Sequence, residues 1–396
     1  MSQSTPTGMV APNAPSDRSA GRIARRLTTI AVIAVALPLL YLAFWPSPID
    51  PVAYDPPPAP PLSGPVAPNN KLQSAVILFA GQVDGPEDVE IASDGRIFAG
   101  LADGRIIVAT PRGAEGAPSE EGAASNSSKG DDYELQTFVN TGGRPVGLAF
   151  APDGNLIVAD ALRGLLSINP QSEIAVLVGS AGDTPLGFTD DVTVASDGLI
   201  YFSDASSKFG PDEYLYDMLE GRPHGRLLRY DPQTKKTSVL MDELCFANGV
   251  ALSEDEDFLL INETYHFCIH RYWLKGEKAG THELFVENLP GYPDNITADG
   301  HGGFWLALFT VRNPTGDWLS PRPFFKQATA KLPRAFWPRP QPYAFVIKLN
   351  REGEILGSLQ DPTGKHLREV TSAVEHEGYL YLGSLHNDRI GKYKLP

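Results

Sequence analysis

One four-residue frame returns six times along this chain, and its recurrence limits the fold more than any other feature. The frames are Pro86-Glu87-Asp88-Val89, Pro145-Val146-Gly147-Leu148, Thr189-Asp190-Asp191-Val192, Ala247-Asn248-Gly249-Val250, Pro293-Asp294-Asn295-Ile296 and Val370-Thr371-Ser372-Ala373. Each opens a short apolar run that stops at a turn carrying Asp or Gly, such as Pro152-Asp153-Gly154 or Ser196-Asp197-Gly198. Second runs follow, as in Ile200 to Ser203 and Phe304 to Ala307, and then third runs, as in Gly225 to Tyr230 and Cys268 to Trp273. Short β-type runs punctuated by turn residues, repeated at one scale, predict an all-β fold, here a six-bladed β-propeller. The run from about Leu72 to Ala80 has no repeat of its own, so it is expected to join the last blade and close the ring, leaving no open edge.

In a propeller the first strand of every blade lines the central channel. The first slots of the frames therefore converge: Glu87, Val146, Asp190, Asn248, Asp294 and Thr371. Asp and Asn disfavour strand interiors, so a strand that opens with both, as at Asp294-Asn295, accepts a local cost. Three carboxylates in one channel repel and resist desolvation unless a cation neutralises them. The donors are oxygens, with no Cys or His among them, which selects Ca²⁺, or alternatively Mg²⁺ or Mn²⁺, over zinc. The expected ligands are Glu87, Asp190, Asn248, Asp294 and, from the second slots, Asn295. Asp88 and Asp191, also second-slot residues, suggest a second cation site lower in the channel.

The N-terminal region has a different character. Residues 1–26 are expected to form a disordered cytoplasmic tail that ends in Arg22, Arg25 and Arg26. Leu27 to Trp45 contains no charge and reaches about 28 Å as a helix, close to the hydrocarbon thickness of a bilayer. It reads as a transmembrane signal anchor, single-pass, with the arginines holding the N-terminus on the cytoplasmic side and the propeller on the other. Residues 46–71 read as a proline-rich spacer and 72–396 as the propeller. A formal net charge of −15 argues against a nucleic-acid partner. Cys245 and Cys268 are expected to be buried free thiols.

Two long insertions fall between second and third strands, on the face where the first slots open. One spans Ala205 to His224; the other, Phe309 to Tyr343, reads as a lid with an apolar underside of Trp318, Phe324, Phe325, Phe336 and Trp337, helical near Phe324 to Leu332. Pro111 to Asp132 falls on the opposite face and reads as a disordered loop. His224, His266 and His386 reach the first face and are candidate general bases, with an ordinary pKa suited to that task.

Residues 72–396 resemble the strictosidine synthase-like family in Gly225 to Pro232, Asn248-Gly249-Val250, Arg271 to Gly276, Gly291 to Ile296 and Tyr379 to Leu385. The resemblance implies a calcium-binding propeller related to paraoxonases and gluconolactonases, with Glu87, Asp190, Asn248, Asp294 and Asn295 at the catalytic calcium ligands, Asp190 standing where paraoxonases have Asn, and Asp88 and Asp191 at a structural calcium. The synthases' last-blade glutamate is replaced by Thr371, with Glu369 out of frame, and the paraoxonase histidine dyad finds only Val146 and Asp160. The expected activity is therefore calcium-dependent hydrolysis of hydrophobic or aromatic esters or lactones, with Asp294, Asp190 or a rim histidine assisting water. The alternatives are a non-catalytic calcium-stabilised binding module and a condensing synthase.

Overall fold

A computed structural model describes residue 8 and residues 17–112 and 132–396. Six four-stranded antiparallel sheets surround one axis, and the strand order within each sheet runs from the axis outward. The inner strands are Val89–Ile91, Pro145–Phe150, Thr189–Val194, Ala247–Leu252, Gly291–Ala298 and Val370–His376, in blades 1 to 6. They correspond to the six frames. Val76–Leu78 pairs with Ile390–Lys394 as the outermost strand of blade 6, so the start of the domain closes the ring onto its end. Apolar side chains between neighbouring sheets form the core; Phe202, Phe258, Phe304 and Phe345 are fully buried there.

The frames have a local backbone cause. In blades 2 to 6 the register between inner and second strand shifts at the frame itself, for example between Thr189 and Val192 and between Pro293 and Ile296. Such a bulge sets two adjacent residues against one partner and re-aims their side chains, so both slots can serve the channel. The strands also approach closely at this level. A Cβ on Gly147 would lie 2.7 Å from the Asp190 carbonyl oxygen, and one on Gly249 would lie 2.5 Å from that of Asp294. These second slots hold glycine because nothing larger fits.

Outside the propeller, helix α1 (Asp17–Phe44) contains the apolar span Gly21–Leu42, long enough to cross a membrane. It starts ahead of Leu27, so residues 17–26, expected in the disordered tail, are helical. That tail's residues 1–7 and 9–16, and residues 113–131 of the blade-1 loop, lie outside the described residues. The proline-rich segment after α1 is no spacer. It lies along the propeller as a strap: Val52 N donates to Glu220 O at 3.1 Å, Tyr54 N to Ser320 O at 3.0 Å, and Asn288 Nδ2 to Pro58 O at 3.0 Å. Its own Ile49 and Val66 are buried, Ile49 against Phe209 and Ala330 and Val66 in the core cluster that holds Phe345 and Ile347. Proline has no N–H to satisfy, and the extended backbone turns the Val52 and Tyr54 N–H groups and the Pro58 carbonyl toward partners on the propeller.

The insertions contain α2 (Tyr214–Glu220) in blade 3, and α3 (Pro314–Leu319) and α4 (Pro323–Ala330) in blade 5. Helix α2 was not expected: it is one short stretch closed by Gly221 at φ 65°, too brief for a periodic signal. The blade-5 aromatics do not form an underside. Trp318, Phe324, Phe325 and Phe336 face outward, with Phe336 72% exposed, and Trp337 alone of the five is buried. The end of α1 meets this insertion: Tyr41 Oη donates to Lys331 O at 3.0 Å, and Lys331 Nζ to Leu42 O at 2.8 Å.

Candidate functional site

The bulged frames bring Glu87, Asp190, Asn248, Asp294 and Asn295 together at the axis, all buried. The Asn248 side chain hydrogen-bonds Asp294. Four oxygens, Glu87 Oε2, Asp190 Oδ2, Asn248 Oδ1 and Asn295 Oδ1, are buried without a hydrogen-bond partner. Each such group costs about 1–3 kcal/mol when nothing pairs it. The electrostatics agree with the geometry. Burial, and then the charges of Asp294 and Asp190, push Glu87 well above the ordinary carboxylate range. Burial and Asp294 do the same to Asp190, and burial carries Asp294 up to about 7. A site of oxygen acceptors that resists its own ionisation is one that a hard cation completes.

Arg144 adds a permanent positive charge that sequence reasoning missed. Its guanidinium lies close enough to Glu87 to oppose that group's upward shift. Its Nη2 donates to Gly85 O at 3.2 Å, while its Nη1 is buried and unpartnered. Three carboxylates, one guanidinium and one divalent cation sum to zero charge, so the residues present fit a calcium-class ion. Arg144 stands two residues before a first slot, outside the repeated frame itself.

Asp88 and Asp191 sit one slot lower. Asp88 accepts from Val89 N and, across to blade 2, from Leu148 N, both at 2.8 Å. Asp191 accepts from Val192 N at 2.8 Å and, in blade 4, from Val250 N at 2.7 Å. Each carboxylate thus supplies the partners that bulged backbone lacks and ties two blades together. Burial pushes Asp88 up to about 7; burial and the neighbouring Asp88 push Asp191 well above its ordinary range. Both keep lone pairs beyond these bonds, so the pair stays open to a second cation. Farther along the same strand, burial and Asp88 push Glu90 up to about 8; it stands outside the frame and was missed.

Each candidate histidine is tied to a carboxylate. His224 Nε2 lies 2.8 Å from Glu220 Oε1, and Glu220 also takes Lys208 Nζ at 2.7 Å and the strap's Asp50 N at 2.8 Å. His266 Nδ1 lies 2.8 Å from Glu263 Oε1, and its ring packs on Tyr54 of the strap at 4.4 Å between centroids. His386 Nδ1 lies 2.7 Å from Glu369 Oε2. Tyr214 of α2 stands within electrostatic reach of both Glu369 and the axial Asp294. Burial first, then the charges of Glu369 and Asp294, raise the Tyr214 hydroxyl. Tyr214 and Met218 pack on Val146, Phe188 and Phe246, which gives the mouth one apolar wall beside the one apolar first slot. Thr371, the last first slot, donates its hydroxyl to Glu87 O at 2.5 Å.

Comparison with known proteins places this architecture. The model described as strictosidine synthase matches residues 190–277, and that described as strictosidine synthase-like, N-terminal, matches residues 64–108. Adipocyte plasma membrane-associated protein of Rattus norvegicus is 38% identical over 379 residues, covering 92% of this chain and 97% of that protein. The Arabidopsis thaliana protein strictosidine synthase-like 6 is 35% identical over 330 residues, 82% of each. Among solved structures, a gluconolactonase from Xanthomonas campestris superposes with a TM-score of 0.57 at 17% identity, covering 89% of this chain and 99% of that one. The calcium-binding protein regucalcin from Agrobacterium tumefaciens superposes with a TM-score of 0.54 at 11% identity, covering 81% and 94%. Those two likenesses concern the fold, whereas the sequence identities extend over most of the chain. The chain belongs to the strictosidine synthase-like family that contains adipocyte plasma membrane-associated protein.

Proposed function

We propose that this chain is a calcium-dependent hydrolase of esters or lactones working at the axial ring, on a propeller anchored to a membrane through α1. The four unpartnered oxygens at the ring carry this reading, since they mark a cation seat inside a mouth with an apolar wall. Glu87, Asp190, Asn248, Asp294 and Asn295 would hold the ion, which when bound supplies positive charge to polarise a substrate carbonyl and steady the developing oxyanion. The gluconolactonase among the propellers of like fold is consistent with such chemistry, and regucalcin with such an ion.

The chain's own residues divide the remaining work. Arg144, with its free Nη1, steadies negative charge at the ring edge. Tyr214, whose hydroxyl is raised by burial, keeps its proton at neutral pH and can donate it to a leaving oxygen. His386, oriented by Glu369 at 2.7 Å, is the rim histidine assigned to take a proton from water, with Asp294 or Asp190 as ring alternatives. His224 and His266 instead secure the insertion and the strap. The outward aromatics beside the end of α1 suit a membrane interface, where Trp and Phe are favoured and apolar substrates concentrate.

The test is turnover of phenyl acetate and γ-lactones by the full chain in detergent. Activity should need calcium, disappear with EDTA and be lost in Asp294→Ala. One observation favours a second reading, a non-catalytic calcium-stabilised module: every candidate histidine is already engaged with a carboxylate. Calcium binding without turnover on a broad ester and lactone panel would decide for it. A condensing synthase is disfavoured, because Thr371 is engaged with Glu87 O and offers no base.

A further inference from the structure

The second strands of blades 2, 3 and 4 end in a carboxylate that clamps the loop before its own inner strand. Asp160 Oδ1 accepts from Arg144 N, Leu162 N and Arg163 N, each at 3.0 Å. Asp204 Oδ1 accepts from Gly187 N at 3.1 Å and Phe188 N at 3.0 Å, while its Oδ2 takes the Arg226 guanidinium. Glu263 does the same for Cys245 N at 2.8 Å. Clamping therefore needs only an aspartate and no sulfur or imidazole. Blade 4 has a glutamate instead, one methylene longer, and around it stand both cysteines of the chain and two histidines.

The distances are those of a ligand set. Cys268 Sγ lies 3.6 Å from His270 Nε2 and 3.4 Å from Glu263 Oε2, and His270 Nε2 lies 2.8 Å from the same oxygen. Tetrahedral zinc with ordinary Zn–S, Zn–N and Zn–O lengths separates its ligand atoms by about 3.4–3.6 Å. The two sulfur edges already match. The imidazole–carboxylate edge is a hydrogen bond, and it opens by about half an ångström when an ion replaces the shared proton. Cys245, Glu263 and His266 form a second trio on the same carboxylate, with ligand atoms within 4.8 Å of one another. Both thiols are free and buried, and Glu263 is buried with them.

We propose that Glu263, Cys268 and His270 form a site for a thiophilic divalent cation of the zinc class, separate from the axial oxygen ring and chemically distinct from it. Soft sulfur with imidazole selects zinc or cobalt, whereas the ring's oxygens select calcium, so the two sites load independently. On binding, the Cys268 thiol gives its proton to solvent, the proton between His270 Nε2 and Glu263 leaves for solvent or is held on Nδ1 of the neutral ring, and solvent completes the fourth position. The other imidazole on Glu263, His266, lies under the strap: the Tyr54 ring packs on it at 4.4 Å between centroids, and Tyr54 N is held by Ser320 O at 3.0 Å. Loading the site therefore also stiffens the junction between blade 4, the blade-5 insertion and the chain that leads to α1.

The experiment is metal analysis and cobalt spectroscopy on the full chain in detergent, stripped with chelator, reduced, reloaded with excess zinc or cobalt, and then dialysed with excess calcium present. Wild type should retain one equivalent of zinc. With cobalt it should show the intense visible bands of a tetrahedral site and a near-ultraviolet thiolate-to-cobalt charge-transfer band. Cys268→Ser and His270→Ala should lower retention at least tenfold, while Cys245→Ser keeps it. Wild type that holds no zinc after dialysis, or that binds cobalt with no thiolate band, overturns the proposal and leaves Glu263 as a hydrogen-bonded clamp. The wild-type spectrum needs no variant, so a substitution that fails to fold cannot mask the answer; a Cys268→Ser protein that folds and keeps its zinc also refutes it.

Discussion

Removing calcium should make this propeller's stability fall with rising pH, and Asp294 sets the scale. In the cation-free protein burial carries its carboxyl from 3.8 to about 7. Below 3.8 the folded and unfolded chains are both protonated there, and Asp294 contributes nothing. Between 3.8 and about 7 the unfolded chain has lost the proton that the folded chain still holds. Stability therefore declines across that window and stays low above it. A shift of that size corresponds to about 4 kcal/mol, and Glu87 and Asp190 are displaced in the same direction by the same burial and by each other. A bound divalent cation cancels the penalty by pairing with the ionised form. The assay is thermal unfolding of the full chain in detergent, with saturating calcium and with EDTA, from pH 5 to pH 8. At about 2–4 °C per kcal/mol for a domain of this size, the gap between the two curves should widen by about 10 °C across the range. Equal gaps at pH 5 and pH 8 would refute the reasoning, as would no gap at either.

Other consequences separate roles that lie close together. Asp191→Ala removes the acceptor for Val192 N and Val250 N; it should cost about 3 kcal/mol in urea unfolding, because two buried amides lose their partner. His386→Gln should lower ester turnover by about a hundredfold if its imidazole is the base, while His266→Gln leaves turnover within a few-fold; steady-state kinetics on phenyl acetate would show the difference. A protein begun at residue 72 should be less stable than one begun at residue 46 by about 3 kcal/mol, since it loses buried Ile49 and Val66 at about 1.5 kcal/mol each or more. Parallel denaturation curves of the two truncations measure that.

Why was one site more legible than the other? The axial ring repeats, so its residues could be read in phase: Asp294 alone is ordinary turn chemistry, but Glu87, Asp190, Asn248 and Asp294 in matching frames are not. Arg144 and Tyr214 belong to loops outside the repeat, and nothing local marks either as facing the channel. The strap misled for a related reason. Proline-rich composition describes an extended backbone correctly, but whether extended chain hangs free or lies on a surface depends on distant donors such as Asn288 and on the pockets that receive Ile49 and Val66. The blade-5 aromatics carried the same ambiguity, since an apolar side chain in an insertion can point toward a site or away from it.

The sequence by itself determined the number of blades, the closure of the ring, the slots that line the axis and the hard-oxygen character of what they hold, because these follow from local pattern repeated in phase. Only the tertiary structure decided which charges meet. It set Arg144 against Glu87, paired Glu369 with His386, laid the strap over blade 4, and gathered Cys268, His270 and Glu263 around a clamp that elsewhere is a simple aspartate. Electrostatics and coordination act through space over a few ångströms, and spacing along a chain fixes such distances only where the backbone repeats.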